Sequence, residues 1–287
     1  MLVVHTIAET RAALRELRAP GQGSTPRTVG LVPTMGALHT GHISLMRAAR
    51  AACDLTVATI FVNPTQFGPN EDFSKYPRTF EEDCKLLEEE GVDLLFAPTA
   101  DEMYPDGATT FVEVAGIGDR LDGVTRPGHF RGVATVVAKL FHIVGPDKAF
   151  FGQKDAAQVA VLRQMVRDLN FPLEIVACPT VREPDGLALS SRNRYLSPSE
   201  RQIALTLRHS LSMMEDLASV GETESLRLIE AGLGVIASVP EIRIDYLKIV
   251  DPDTLEDTAG VRNGALMVIA AWVGSTRLID NIVVPPR

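Results

Sequence analysis

Positive charge is the scarce quantity in this chain of 287 residues: 28 Lys and Arg stand against 37 Asp and Glu, a formal net charge of −9. A broad nucleic-acid surface is therefore not expected, and any anion must be met by a local gathering of donors. Cysteine is nearly absent as well. Cys53, Cys84 and Cys178 have no paired spacing, which speaks against a disulfide framework and for a reducing compartment, the cytoplasm. All three read as small packing residues. No apolar run approaches the roughly 20 residues of a spanning helix; the longest, 265–274, falls far short, and the start, Met1-Leu2-Val3-Val4-His5, lacks a basic flank and an apolar core for export. Neither secretion nor a membrane span is expected. Missing too are a Walker A loop, a nucleophile elbow and His-Glu-x-x-His, which sets aside P-loop kinases, α/β-hydrolases and zincins. Gly116-Ile117-Gly118 is no dinucleotide fingerprint, because its next glycine, Gly123, is misplaced.

What is present is a chain 45% hydrophobic and 23% charged, enough for one large core or two smaller ones, with two domains preferred. Strand-like segments at 29–32, 55–62, 92–96, 110–114, 149–151 and 173–177 alternate with helical patterns near 42–53, 79–90, 130–144 and 155–169. That alternation predicts an α/β, doubly wound parallel-sheet (Rossmann-like) nucleotide-binding domain over 1–180. Turn formers from Val181-Arg182-Glu183-Pro184-Asp185-Gly186 onward mark a boundary. Beyond it, helices near 198–219 and 223–237 precede alternating strands at 243–250, 265–273 and 276–284, so 181–287 is expected to be a smaller α+β domain.

The densest motif is Pro33-Thr34-Met35-Gly36-Ala37-Leu38-His39-Thr40-Gly41-His42. It follows an apolar strand that Pro33 is expected to stop, and it leads into a helical pattern. It should therefore lie at a strand's C-terminal end, where an open parallel sheet forms its ligand crevice and a helix N-terminus offers free N–H groups to an anion. Two imidazoles three residues apart can share a face there. Helix capping is the plain alternative reading, and a zinc site lacks its remaining ligands.

The His-x-Gly-His tetrapeptide resembles the nucleotidylyl transferase superfamily, and the ten-residue string is similar to that of the pantothenate synthetase family. The resemblance extends to Phe61-Val62-Asn63-Pro64-Thr65-Gln66-Phe67, in which it implies that Gln66 binds pantoate. Read on its own, Gln66 is either a solvated loop residue or a neutral partner for a hydroxyl or carboxylate. Phe151-Gly152-Gln153-Lys154-Asp155-Ala156-Ala157-Gln158 is another strand-to-helix junction. Lys154 there can neutralise phosphates, Asp155 can accept from ribose hydroxyls or cap the helix, and Gln158 shares Asp155's face. The family's Gly-Glu-Lys-Asp pattern departs here at Gln153. Leu189-Ser190-Ser191-Arg192 offers two hydroxyls and a guanidinium to a triphosphate, or forms a polar helix flank. The resemblance makes it an ATP loop and gives the backbone of Val181 to adenine.

On that resemblance the ATP-binding set is Met35, Gly36, Ala37, Leu38, His39, Thr40, Gly41, His42, Gly152, Gln153, Lys154, Asp155, Val181, Leu189, Ser190, Ser191 and Arg192, with His42, His39 and Lys154 catalytic and Gln66 and Gln158 meeting the acid. The implied activity is ATP-dependent condensation of pantoate with β-alanine through a pantoyl adenylate, releasing AMP and pyrophosphate, in a homodimer without nucleic-acid or membrane partners. Magnesium is expected with the triphosphate. Its protein ligands stay unassigned, since Thr79-Phe80-Glu81-Glu82-Asp83 reads on its own as a capping box of Thr79 with Glu82, while the resemblance implies acidic residues near the ion. A second domain able to cover the crevice would protect a labile adenylate. Arg126-Pro127-Gly128-His129-Phe130-Arg131-Gly132 matches the family and reads physically only as a basic loop entering a helix. Two other classes remain open at this point: a nucleotidylyl transferase building a dinucleotide cofactor, which should carry a basic pocket in place of the glutamines, and a non-catalytic nucleotide-binding module.

Overall fold

Short β-branched runs and longer amphipathic ones alternate along the computed structural model, which describes residues 1–19, 25–69, 71 and 73–287. The elements are β1 Leu2–Val4, α1 Ile7–Arg18, β2 Val29–Thr34, α2 Thr40–Ala52, β3 Leu55–Ile60, α3 Phe80–Glu89, β4 Leu94–Phe96, the single turns α4 Ala100–Met103 and α5 Asp122–Thr125, then α6 His129–Val144, β5 Lys148–Gly152, α7 Ala156–Asp168 and β6 Glu174–Cys178. The six strands form one parallel sheet in the order β1-β4-β3-β2-β5-β6. Strand order reverses at β2, whose neighbours are β3 and β5, and at such a switch point the loops after adjacent strands part to leave a crevice. Val32, Met46, Ala49, Ala58, Leu87, Leu95 and Phe150 pack together there, each at most 1% exposed.

Two sequence expectations are corrected, and two elements are added. β2 runs through Pro33 to Thr34; β5 pairs with it only at Gly30 and Leu31, so on that side the ladder asks Pro33 for no N–H. Residues 110–114 form no strand. Val112 N–H donates instead to Thr135 Oγ1 of α6 at 2.9 Å, which satisfies the backbone without a ladder. β1 and α1 were not read from the sequence; Thr6 and Glu9 close a capping box at the start of α1.

The chain divides into two compact units, Met1–Gly152 with Val161–Cys178, and Gln153–Ala160 with Pro179–Arg287. In the second, α8 Pro198–Ser219 and α9 Ser225–Ala237 pack on an antiparallel sheet β7-β8-β9, Ile242–Val250, Ala265–Val273 and Thr276–Val284. Its core joins Leu207, Leu211, Met214 and Leu228 to Met267, Ile269 and Ala271. Among the described residues no helix is long and apolar enough to cross a membrane.

Candidate active site

The loop between β2 and α2 is built by its own residues. Gly36 sits at φ +80° and Ala37 at φ +51°, a left-handed pair that turns the chain sharply and leaves two consecutive amides pointing inward. Asp83, 2% exposed, accepts both: Ala37 N–H at 2.9 Å and Leu38 N–H at 2.8 Å. Thr79 donates its hydroxyl to the same carboxylate at 3.2 Å and makes no side-chain cap, so the capping box expected of Thr79 and Glu82 is not formed. The sequence places Asp83 only among acidic residues suited to a helix's first turn or to an ion; the structure makes it the buried anchor of this loop.

His39 is the N-cap of α2, in an extended conformation, and His42 lies one turn on. His39 Nδ1 accepts from Gly41 N–H at 3.2 Å, and His42 Nδ1 accepts from His39 N–H at 3.3 Å. Because both Nδ1 atoms take a backbone proton, each neutral ring must carry its own proton on Nε2. The rings lie 4.1 Å apart, tilted by 32°. The structure thus brings together two imidazoles at the positive end of a helix, each with Nδ1 turned to a backbone amide.

Gln66 ends a single 3-10 turn, Pro64–Gln66, after β3, and its Nε2 donates to Met35 Sδ at 3.3 Å. The loops after β2 and β3 therefore meet. Asn63 Nδ2 donates to Gln66 Oε1 at 3.0 Å and to the Gly132 carbonyl at 3.2 Å. A Cβ on Gly132 would overlap the Thr65 carbonyl, so α6 approaches this turn at backbone distance. The 126–132 stretch proves to be the turn's support. His129 Nδ1 donates to the Gln66 carbonyl at 2.8 Å, and Arg126 donates from Nη1 to His129 Nε2 at 2.9 Å while its Nε and Nη2 fork onto Glu71 at 2.7 Å each. Burial, reinforced by the Arg126 charge, pushes His129 down to about 4, which keeps the ring neutral so that Nε2 can accept.

Gly152 ends β5 in the first unit, and the remaining site residues lie in the second. Gln153, Lys154 and Asp155 form a 3-10 turn, held by Asn281, whose Nδ2 donates to the Gln153 and Lys154 carbonyls at 2.9 Å each and whose Oδ1 accepts from Gln153 Nε2 at 3.3 Å. Next to it Asp280, 4% exposed, takes a two-pronged bond from Arg182 at 2.7 and 2.9 Å. Gln153 thus spends its side chain on the fold. Lys154 Nζ is 3.6 Å from Asp155, and Gln158 is half-buried on the first turn of α7. Leu189 N–H donates to the Val181 carbonyl at 3.0 Å, drawing the expected adenine contact to the start of the Ser190-Ser191-Arg192 loop, where Ser190 Oγ accepts from Arg192 N–H at 3.3 Å. Among the described residues no three His, Cys, Asp or Glu side chains are grouped to hold a metal.

The sequence model of the pantoate-beta-alanine ligase family matches residues 2–283. A pantothenate synthetase of Acidobacterium capsulatum is 64% identical over 283 residues, covering 96% of this chain and 95% of that protein. The crystal structure of pantothenate synthetase from Thermus thermophilus superposes with a TM-score of 0.93 at 50% identity, covering all of both chains. The pantoate-beta-alanine ligase of Francisella tularensis, complexed with beta-gamma ATP and β-alanine, matches with a TM-score of 0.76 at 33% identity over 99% of this chain and 97% of that one. A family model spanning nearly the whole chain, and relatives this similar end to end, show that the chain belongs to the pantoate–β-alanine ligase (pantothenate synthetase) family, enzymes that join the two acids at the expense of ATP.

Proposed function

We propose that this enzyme works through a pantoyl adenylate and that its rate enhancement comes from positioning and charge stabilisation without a protein nucleophile. A pantoate carboxylate oxygen attacks the α-phosphorus of ATP; the bond from that phosphorus to the bridging oxygen breaks, and pyrophosphate leaves with the electron pair. The β-alanine amine, once deprotonated, then attacks the acyl carbon. The carbon–oxygen bond to AMP breaks, and the nitrogen loses its remaining extra proton to water.

The observation that carries this reading is the imidazole pair. Two Nε2–H donors fixed by backbone amides at the N-terminus of α2 suit an anion whose charge grows on the leaving group. His42 and His39 take that role, with Met35, Gly36, Ala37, Leu38, Thr40 and Gly41 shaping the loop around the nucleotide. Lys154 with Ser190, Ser191 and Arg192 neutralises the phosphates, Gly152, Gln153 and Asp155 contribute the adjoining turn and a ribose acceptor, and the backbone of Val181 meets adenine, with Leu189 completing the nucleotide loop. Gln66 and Gln158 orient pantoate. Magnesium accompanies the nucleotide as its complex, held by phosphates and water. Asp83, the buried acid of the 79–83 stretch, already spends its carboxylate on two amides and a hydroxyl, which does not suit an ion ligand. The homodimer is carried over from the resemblance, and the cytoplasm agrees with three cysteines of no paired spacing. The test is exchange of labelled pyrophosphate into ATP: it should require pantoate and magnesium but not β-alanine. Exchange only after β-alanine is added would overturn the adenylate.

A further inference from the structure

The amide of Gln66 has a direction, and that direction is set three residues away. Asn63 Oδ1 accepts from Tyr104 Oη at 2.9 Å, from Thr65 Oγ1 at 2.9 Å and from Thr65 N–H at 3.3 Å. Asn63 is 1% exposed. Its amide has one favourable orientation, since turning it would set its NH2 against the Thr65 N–H and its oxygen against the Gly132 carbonyl in a buried place, and the Tyr104 and Thr65 hydroxyls add their bonds to the oxygen so placed. That orientation aims Nδ2 at Gln66 Oε1. The Gln66 oxygen is thereby occupied within the protein, and Nε2 is turned toward Met35 Sδ, a weak acceptor that an incoming oxygen can replace.

We propose that Tyr104 is a positioning residue for the acid substrate, acting through Asn63 to hold Gln66 as a hydrogen-bond donor, so that the group Gln66 meets must be an acceptor oxygen, a carboxylate or a hydroxyl. This rests on the reading that Gln66 binds pantoate. Tyr104 is suited to the task. It caps the single-turn helix Ala100–Met103, its ring lies 6.2 Å from that of Phe61 and under Lys139 Nζ at 5.8 Å, and burial pushes its phenol above the ordinary value, so the proton stays available. Neither contact of the ring depends on the hydroxyl, so Tyr104→Phe removes the donor and keeps the packing.

Steady-state kinetics on the full chain test the relay. Tyr104→Phe should raise the KM for pantoate by about 3- to 10-fold, the loss expected of one polar contact, and leave the KM for ATP unchanged. Thr65→Val, which removes the other hydroxyl from the same oxygen, should act in the same direction. In a Gln66→Ala background Tyr104→Phe should add nothing, and Gln66→Glu should raise the KM for pantoate more than Gln66→Ala, because a carboxylate would face an acid. Additive effects of Tyr104→Phe and Gln66→Ala, an unchanged KM in Tyr104→Phe, or a Gln66→Glu enzyme that binds pantoate as well as the parent would each overturn the proposal. If Gln66→Ala leaves the KM unchanged, the pantoate assignment itself fails. The relay is then decided by side-chain amide NMR: the Gln66 NH2 signals, identified by their loss in Gln66→Ala, should shift or broaden in Tyr104→Phe, and identical signals would overturn it.

Discussion

Asp83→Asn changes one atom and should reach both stability and catalysis. The carboxylate takes Leu38 N–H at 2.8 Å and Ala37 N–H at 2.9 Å, and Ala37 holds a left-handed conformation unusual for a residue with a Cβ. A hydrogen bond to a charged group contributes about 1.5–3 kcal/mol, and a buried donor left without an acceptor costs a comparable amount. An amide at position 83 keeps one oxygen and turns NH2 toward the other backbone N–H. The fold should therefore lose about 2–4 kcal/mol, read as a lower urea midpoint with an unchanged slope. The loop that relaxes leads directly into His39 and His42, and a shift of about 1 Å in such groups can cost on the order of 100-fold in rate. Single-turnover adenylate formation under conditions where the variant is folded should fall by about 10- to 100-fold. Stability within about 0.5 kcal/mol of the parent together with normal turnover would refute the reasoning. A raised magnesium requirement at unchanged stability would make Asp83 an ion ligand.

His129, held neutral with a value of about 4 against 6.5 for the free side chain, takes up a proton on unfolding. Its contribution is full above pH 6.5 and is lost as pH falls through 6.5 toward 4, so the stability advantage of the parent over His129→Gln should shrink by about 3 kcal/mol across that window; a constant difference in pH-dependent urea melts would contradict it. Gly132→Ala forces a Cβ onto the Thr65 carbonyl and the Gln66 backbone; a loss of about 1–3 kcal/mol and a raised KM for pantoate are expected, and an unchanged enzyme would show that the turn is not clamped. Arg182→Met leaves the buried Asp280 carboxylate without its partner and should cost about 3–5 kcal/mol. Adding Asp280→Leu should recover much of that in thermal melts, whereas a further loss would contradict the pairing.

What could be read beforehand was what repeats along the chain. The α/β alternation and the glycine-bearing loops at strand ends pointed to a nucleotide crevice at β2, because strand apolarity and helix-start chemistry are local properties. Thr6-x-x-Glu9 is a capping-box signal for α1 legible in the sequence alone. Residues 110–114 looked like a strand because β-branched residues also suit an extended segment satisfied by a side chain, and nothing local distinguishes Thr135 Oγ1 from a ladder partner. Asp83, Asn63 and His129 act on residues 45, 3 and 63 positions away at their main contacts. Two of those pairings are created only by the fold, so sequence spacing had no means to announce them; Asn63 lay within a motif already singled out, yet its task depends on Tyr104.

The account is most directly tested by measuring ATP affinity, melting temperature and single-turnover pantoyl-adenylate formation on one preparation of His42→Ala. His42 Nδ1 accepts the His39 amide, so a loss of about 1 kcal/mol of stability is expected from the cap alone. The central claim is that Nε2–H meets charge that builds on the departing pyrophosphate. It predicts a rate lower by on the order of 100- to 1,000-fold with ATP binding little changed. An enzyme that melts earlier but forms adenylate at the normal rate in its folded fraction would contradict it.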